Sequence, residues 1–287
     1  MFGKKKSNSR PQIPVRGGGG SGVRSDWGTV EITPMARCTV NTAMATHIGS
    51  RSSQQDAAYV CQPLFGPGIA FGILCDGMGG MQDGERASSD TVAFMANRIS
   101  AIGEEDDIPA WLEESARGAN DLLLRANAKT GSTAGTTLAA AVIRAEELFW
   151  VNVGDSRIYI IRGEEIVQVS RDHNFALDLR EMVDTGRITP EQAQSDPRRE
   201  ALISYIGAPV LEMADVNRSG FRLMRGDFVL LCSDGLTKLV PDVEILSIVL
   251  AHGGDLSGAS RALTSEAFDN GLEGMDNTTV VLMQYLA

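Results

Sequence analysis

The order of short apolar segments and helical patterns is the strongest constraint on the fold of this 287-residue chain. Ten segments have strand character, because apolar and β-branched runs are bounded by turn residues. They are residues 35–47, 57–61, 69–76, 136–144, 148–153, 157–162, 165–169, 216–223, 227–232 and 278–284. Turn signals such as 162–164 and 225–227 join neighbouring strands directly, which favours antiparallel hairpins.

Helical spacing of apolar residues occurs in two pairs of segments. They are residues 85–99, 108–128, 242–251 and 256–268. In the first segment Val92, Met95 and Ile99 share one face, as expected for a helix packed against a sheet. Two shorter helical patterns lie in the polar stretch 170–209. Strands outnumber helices, so the predicted fold class is α+β with largely antiparallel sheets.

Charge and composition exclude several classes of protein. The net charge of −11 disfavours nucleic-acid binding, because the phosphate backbone repels an acidic chain. The same charge suits either simple solubility or a site that collects divalent cations. No apolar run reaches the roughly 18–20 residues of a membrane helix, and the first lysines are not followed by the apolar stretch of a secretory signal. We expect a cytoplasmic protein without a membrane or nucleic-acid partner.

The four cysteines carry no recognisable chemistry. Cys38, Cys61, Cys75 and Cys232 form no C-x-x-C pair, so a zinc ribbon or thioredoxin-type motif has no support. None is followed by Arg at the spacing of the thiol-phosphatase signature C-x5-R. Each lies in or beside an apolar stretch, as expected for free thiols in a reducing compartment.

The first 30 residues differ in composition from the rest of the chain. Three lysines, two prolines and a glycine run at 17–20 make this segment polar and basic. We predict a flexible tail over 1–30 and one globular domain over 31–287.

Four aspartates stand where apolar strands end or turn. Asp76, Asp155, Asp234 and Asp276 follow or precede strands, and glycine neighbours the first three. A single Asp-Gly is usually a turn, but a half-buried carboxylate is costly unless it is paired or bound to a metal. Oxygen-only ligands select hard cations such as Mg²⁺ and Mn²⁺. The set therefore predicts a site for divalent cations.

A further segment, 46–56, adds an arginine to this set. Arg51 precedes a strand, and Asp56 follows five residues later. A guanidinium beside a metal cluster is well suited to bidentate contact with a phosphate group. Two ions about 3.5–4 Å apart can activate a water and clamp a phosphoryl group.

Eight motifs, in order, resemble those of the PPM (type 2C) family of metal-dependent protein serine/threonine phosphatases. They are T-H-I-G-S-R, D-G-M-G-G, G-E-R-A-S, S-T-A-G-T-T, G-D-S-R, S-R-D-H, S-D-G-L and D-N-T-T. The series spans nearly the whole chain outside the tail, and the D-G-M-G-G form resembles the bacterial branch.

The resemblance implies a role for each matching residue. Asp76 would bridge two metal ions, and the carbonyl of Gly77 would bind one of them. Asp234 and Asp276 would hold the other ion, while Asp56 would reach the cluster through bound water.

The resemblance also implies a third, weaker metal and a contact to the substrate. Asp155 would hold the third ion together with Asp234, and Arg51 would hold the substrate phosphate. The residues expected to carry the reaction are Arg51, Asp56, Asp76 and Asp234.

The fold of the family would be a central sandwich of two antiparallel β-sheets flanked by helix pairs, a four-layer α-β-β-α arrangement with the metal site at one end. Residues 170–209 would form the flap beside the cleft, which influences substrate choice.

Three residues depart from the family pattern. Gln55 replaces a common Glu, Met78 replaces a His proposed as general acid in animal relatives, and Lys238 stands where several relatives carry a carboxylate. Protonation of the leaving group is then expected from metal-bound water, and third-metal affinity is expected to be lower. His47 and His173 are predicted to be structural, because hard cations do not need imidazole.

We predict hydrolysis of phosphoserine and phosphothreonine in proteins by a metal-activated water, with Mn²⁺ or Mg²⁺ as cofactor. The enzyme would be a monomer that opposes a bacterial serine/threonine kinase. Two alternatives stay open: a pseudophosphatase that binds phosphoproteins without turnover, and a hydrolase of small phosphate esters. The physiological substrate is not named by these residues, and regulation of type VI secretion is only one option.

Overall fold

Two antiparallel sheets stacked face to face form the centre of the structure, a computed structural model that describes residues 28–32, 40–61, 69–103, 106–271 and 274–286. The strands are β1 Gly28–Ile32, β2 Val40–His47, β3 Asp56–Cys61, β4 Ile69–Met78, β5 Gly135–Thr136, β6 Leu138–Arg144, β7 Glu147–Val153, β8 Arg157–Arg162, β9 Glu165–Gln168, β10 Asp215–Val216, β11 Phe221–Arg222, β12 Phe228–Cys232 and β13 Thr278–Tyr285. The helices are α1 Met81–Ile99, α2 Ile108–Thr130, α3 Ala176–Asp184, α4 Pro190–Ser195, α5 Asp234–Thr237, α6 Asp242–His252 and α7 Leu256–Asn270.

Within the described residues, the first sheet has six strands in the order β1-β2-β13-β12-β8-β9. Over the same ranges the second sheet has seven strands, with β10-β7-β6-β4-β3 as its main path, β11 paired with β7 and β5 paired with β4. All these pairs are antiparallel, as predicted from the short turns between successive strands.

Each central strand is covered on both faces, which explains its uninterrupted apolar sequence. In β4, Phe71 and Ile73 pack towards α1 and α2, whereas Ala70 and Leu74 point into the space between the sheets. Helices α6 and α7 cover the outer face of the first sheet, where Leu230 contributes to the core. The predicted four-layer sandwich is confirmed.

The segment 170–209 is tied to the second sheet at its C-terminal end. Thr136 and Ile206 exchange two backbone hydrogen bonds of 2.9 Å. The buried Asn120 of α2 accepts from the Gly207 amide at 2.7 Å and donates to the Ala208 carbonyl at 3.1 Å. Helices α3 and α4 match the two short helical patterns expected there.

Several boundaries differ from the sequence prediction. Strand β1 was not predicted and takes residues 28–30 out of the predicted tail, because its backbone pairs with β2 over Gly28–Ile32. The predicted strand 136–144 is divided, since Thr137 turns to bond with Asp76 instead of continuing either strand. The predicted strand 216–223 reduces to the short β10 and β11.

Some predicted features fall outside the described residues. They are the tail over 1–27, the beginning of the first predicted strand and Cys38. Within the described ranges no helix has the length and apolarity needed to cross a membrane.

Candidate active site

Strand register brings two of the predicted carboxylates together. Asp56 opens β3 and lies directly opposite Asp76 of β4. Thr137 holds the Asp76 backbone from the other side, because the Asp76 amide donates to its hydroxyl and the Thr137 amide donates to the Asp76 carbonyl, both at 2.9 Å. The S-T-A-G-T-T motif thus contains a residue, Thr137, that positions a candidate ligand.

The first sheet supplies two further carboxylates at the same end of the sandwich. Asp234 is the first residue of α5, directly after β12, and Asp276 lies two residues before β13. The hydroxyl of Ser233 donates to Asp56 Oδ2 at 2.9 Å and accepts from the Thr279 amide at 2.9 Å. Ser233 therefore joins the two sheets at the base of the cluster.

Asn277 organises the loop that carries Arg51. Its side-chain amide donates to the carbonyls of Ile48 at 2.8 Å and Ser53 at 3.1 Å, and its oxygen accepts from the Gln55 amide at 2.8 Å. It is 3 % exposed. Asn277 could not be assigned a role from the sequence, because only its position inside D-N-T-T marks it and its partners lie more than 200 residues away.

Asp155 reaches the same region from the tight turn between β7 and β8. Gly154 has φ of 101°, a conformation that favours glycine. His173 braces this turn, because its backbone amide donates to the Gly154 carbonyl at 2.9 Å and its ring nitrogen Nδ1 accepts from the Gly154 amide at 3.3 Å. This position agrees with the structural role expected for His173.

Six of the seven predicted site residues line one cavity of about 260 Å³. Its walls include Arg51 and Gly77, together with the four strand-end aspartates, Asp76, Asp155, Asp234 and Asp276. Asp56 is buried next to Asp76 and does not line the cavity. The structure thus brings every predicted site residue to one end of the sandwich.

Burial and mutual repulsion raise the pKa of three of these carboxyl groups. For Asp76, burial and then the charges of Asp56, Asp234 and Asp155 place the pKa well above its usual range. Burial raises the pKa of Asp56 to about 7, although hydrogen bonds from Thr279 and Ser233 work in the other direction. Burial, followed by the charge of Asp234, raises the pKa of Asp155 to about 7 as well. The cluster therefore favours compensating positive charge.

Two side-chain cations face the cluster. Lys238, one helical turn after Asp234, pairs with its carboxylate, and Arg51 pairs with Asp276 at 2.8 Å. Among the described residues, no three acidic, histidine or cysteine side chains surround one point as a ready-made set of metal ligands. The two ion pairs give a reason, because Asp234 and Asp276 each direct an oxygen towards a cation of the chain.

The donor set nevertheless fits hard divalent cations. Asp56 Oδ1 and Asp234 Oδ1 are buried oxygens without a hydrogen-bond partner in the described structure. Such atoms are costly unless a partner neutralises them. A β-carbon at Gly77 would collide with the carbonyl oxygens of Gly84 and Gln55, so this position requires glycine. Carboxylate and carbonyl oxygens are the ligands that Mg²⁺ and Mn²⁺ prefer.

The raised pKa values predict how metal-free stability depends on pH. The folded state holds protons on Asp56 and Asp155 up to about pH 7, whereas the unfolded chain releases them near the ordinary aspartate pKa of 3.8. The folded state therefore binds more protons in this window, and the free energy of unfolding contributed by these groups falls as pH rises from about 4 to 7. Metal ligands must be deprotonated, so stabilisation by Mn²⁺ should increase over the same range.

Thermal melts between pH 5 and 8, with EDTA or with Mn²⁺, measure how stability changes with pH in each condition. The change of stability per pH unit in EDTA is called the EDTA slope. Asp56→Asn should flatten the EDTA slope, whereas Asp121→Asn, an exposed position on α2, should leave it unchanged. An EDTA slope that is the same in the wild type and Asp56→Asn would contradict the assignment.

Replacing Asn277 tests its role in the Arg51 loop. Asn277→Ala removes three hydrogen bonds and leaves the Ile48 and Ser53 carbonyls without their donor. We expect amide hydrogen exchange over residues 48–55 to accelerate by at least about tenfold, since each buried bond contributes about 1 kcal/mol or more. Asn270→Ala, whose single amide bond to Leu239 is exposed, is the matched control. Unchanged exchange in Asn277→Ala would show that the loop is held by other contacts.

Comparison with known proteins agrees with this geometry. The protein phosphatase 2C family matches residues 45–266. The serine/threonine phosphatase stp of Listeria innocua is 32% identical over 217 residues, which cover 74% of this chain and 83% of that protein. The crystal structure of the Mycobacterium tuberculosis serine/threonine phosphatase PstP/Ppp superposes with a TM-score of 0.73 at 30% identity, covering 86% of this chain and 99% of the other.

A further solved structure bears on the metal. The catalytic domain of serine threonine protein phosphatase PstP, in complex with two manganese ions, matches with a TM-score of 0.69 and 29% identity, over 86% of this chain and 99% of that one. The family match covers most of the chain, and the predicted aspartates lie at one end of the same kind of sandwich. The chain belongs to the protein phosphatase 2C family and is a serine/threonine phosphatase.

Proposed function

We propose that the aspartate cluster and Arg51 hydrolyse phosphoserine and phosphothreonine in proteins. The observation that carries this proposal is the convergence of Asp76, Asp155, Asp234 and Asp276 on one cavity that also contains a guanidinium. Arginine binds phosphate oxygens through a planar fork of donors, and clustered carboxylates hold the cations that such chemistry needs.

Each residue has a defined task in this proposal. Asp76, Asp234 and Asp276 hold two divalent ions together with the Gly77 carbonyl, and Asp56 supports them from its buried position beside Asp76. When bound, the ions supply an activated water and stabilise charge on the transferring phosphoryl group. Arg51 is half-exposed and bonds Asp276 through one nitrogen, so its other N–H groups can donate to the substrate phosphate.

Lys238 restricts how much metal the site takes up. Partial burial lowers its pKa, but the charges of Asp234, Asp155 and Asp276 outweigh burial and raise it, so the side chain stays an ammonium ion. This fixed positive charge lies where Asp155 and Asp234 would hold a third ion. We therefore infer that this chain binds two metal ions more readily than three.

The cellular setting is part of the proposal. Cys61, Cys75 and Cys232 form no disulfide in the described structure, which suits a reducing cytoplasm. The related stp and PstP proteins are named as serine/threonine phosphatases of bacteria. We propose that this chain works as a cytoplasmic monomer and reverses the action of a serine/threonine kinase on its substrates.

Phosphate release tests the proposed reaction. A phosphothreonine peptide is incubated at neutral pH with EDTA, Mg²⁺ or Mn²⁺. Wild type should turn over only with metal, and Asp234→Asn should lose at least about a hundredfold, since one of the metal ligands is weakened. Asp121→Asn, exposed on α2, should stay within about twofold. Metal-independent turnover would contradict the proposal, and a small phosphate ester hydrolysed far faster than the peptide would favour the ester hydrolase.

The number of metal ions bound per chain tests whether Lys238 competes with a third ion. Lys238→Met keeps the apolar stem and removes the charge. Two unit charges roughly 4 Å apart interact by about 1 kcal/mol even in water, so Mn²⁺ should bind about fivefold more tightly or better. Isothermal titration should also show a third Mn²⁺ per chain, and this third ion should disappear in Lys238→Met combined with Asp155→Asn. Equal affinity and stoichiometry in wild type and Lys238→Met would show that the lysine does not compete.

A further inference from the structure

A second cavity lies beside the candidate active site. It has a volume of about 470 Å³ and shares one wall residue, Glu200, with the first cavity. Its sides come from the edge of the first sheet, the segment at 170–174 and the flap helices α3 and α4. A group bound here would be a close neighbour of the reacting phosphate.

The second cavity is positively charged in a strongly acidic protein. Four arginines and two acids line it: Arg157, Arg171, Arg180, Arg199, Asp172 and Glu200. Its lining therefore carries a formal charge of +2 (four minus two), whereas the whole chain carries −11. A local field of this sign attracts anions.

Two of these arginines are already committed to other partners. Arg157 makes three hydrogen bonds with Asp172 at 2.7–3.1 Å. Arg171 forms a fork with Asp215, with bonds of 2.7 and 3.0 Å. These pairs shape the cavity but leave little net charge for a ligand.

The other two arginines are less fully paired. Arg180, exposed on α3, makes no ion pair or side-chain hydrogen bond with any described residue. Among the described residues, Arg199 has one ion partner, the adjacent Glu200 at 3.5 Å, and both side chains are exposed. Two guanidinium groups therefore face the cavity with donors to spare.

The floor of the cavity offers a further donor on a fixed frame. The hydroxyl of the buried Ser170 accepts from the Ile158 amide at 2.9 Å, so its proton is available to donate. The segment also closes on itself, because Ala176 donates to the Arg199 carbonyl at 2.9 Å. This bond links the start of α3 to the turn that carries Arg199, so the two arginines are held on one frame.

We propose that this second cavity binds an anionic side chain of the phosphoprotein substrate, a carboxylate or a second phosphoryl group, close in sequence to the phosphorylated residue. Arg180 and Arg199 supply the charge and Ser170 a hydrogen bond. The inference rests on the proposed function, since it assigns this enzyme a preference for phosphoresidues flanked by acidic groups.

Four phosphothreonine peptides test this preference. One has glutamates on the N-terminal side, one has glutamates on the C-terminal side, one has glutamines on both sides, and one carries a second phosphothreonine. Wild type should show a kcat/KM about tenfold higher for at least one anionic peptide than for the glutamine peptide, as expected for charge-assisted hydrogen bonds. The order of the glutamate and doubly phosphorylated peptides identifies the preferred anion.

Charge reversal in the flap supplies the variant and its control. Arg180→Glu should abolish the preference or turn it against the anionic peptides. Arg187→Glu makes the same charge change at an exposed flap position that does not line the cavity, and it should keep the preference. Equal selectivity for all four peptides in wild type would overturn the proposal, as would equal losses in the two variants.

A binding measurement without turnover tests the second cavity independently of the proposed hydrolysis. Fluorescence anisotropy with the same peptides in EDTA reports affinity alone. A preference for anionic peptides that Arg180→Glu removes would support the cavity assignment even if no peptide were hydrolysed. Hydrolysis of the glutamine peptide with no preference for anionic peptides in either assay would support the proposed phosphatase function. The same result would reject the second cavity as an anion-binding site.

Discussion

Several carboxylates are buried at the same end of an apolar sandwich, and this unfavourable arrangement governs the rest of the site. Asp56 and Asp76 face each other across one strand pair, and their pKa values rise because water is excluded and like charges are close. Carboxylates in this state are stable only when positive charge or hydrogen-bond donors reach them. The chain supplies Lys238 and Ser233 from the two ends of α5 and Arg51 from the loop before β3.

The elements that carry the site are held by hydrogen bonds that reach far along the chain. Asn277 connects the D-N-T-T segment to the Arg51 loop, and Thr137 connects β4 to the β5–β6 break. Neither residue carries a charge. Their contribution is geometric, because they set where Arg51 and Asp76 lie relative to the other carboxylates. A phosphoryl group can be stabilised only when such groups are placed before it arrives.

Much of the fold and the candidate site could be predicted from the sequence, because apolar runs, turn residues and strand-end aspartates are local signals. The α+β sandwich and the convergence of Asp76, Asp155, Asp234 and Asp276 belong to this class. Contacts between distant segments could not be predicted without the family resemblance. Arg51 pairs with Asp276 across 225 residues, and no local pattern signals such a pair.

Some short helices and strands were also not predicted from the sequence. Helix α5 has four residues, too few for a periodic pattern, yet it sets Lys238 one turn from Asp234. Strand β1 has only five residues and exists through its pairing with β2, a contact that its own sequence does not specify. The second cavity depends on how the flap returns to the sheet, so composition alone could not reveal its charge.

The bond between Ser233 and Asp56 shows that the site straddles two separate layers. Asp56 and Asp76 belong to strands of one sheet, whereas Asp234 follows β12 and Asp276 precedes β13 of the other. A cation bound by these residues would connect the two sheets. A small sliding of one sheet over the other would therefore change the distances between the cation and its ligands. Packing between the sheets, at residues such as Leu231 and Ile143, thereby becomes a mechanical determinant of metal affinity.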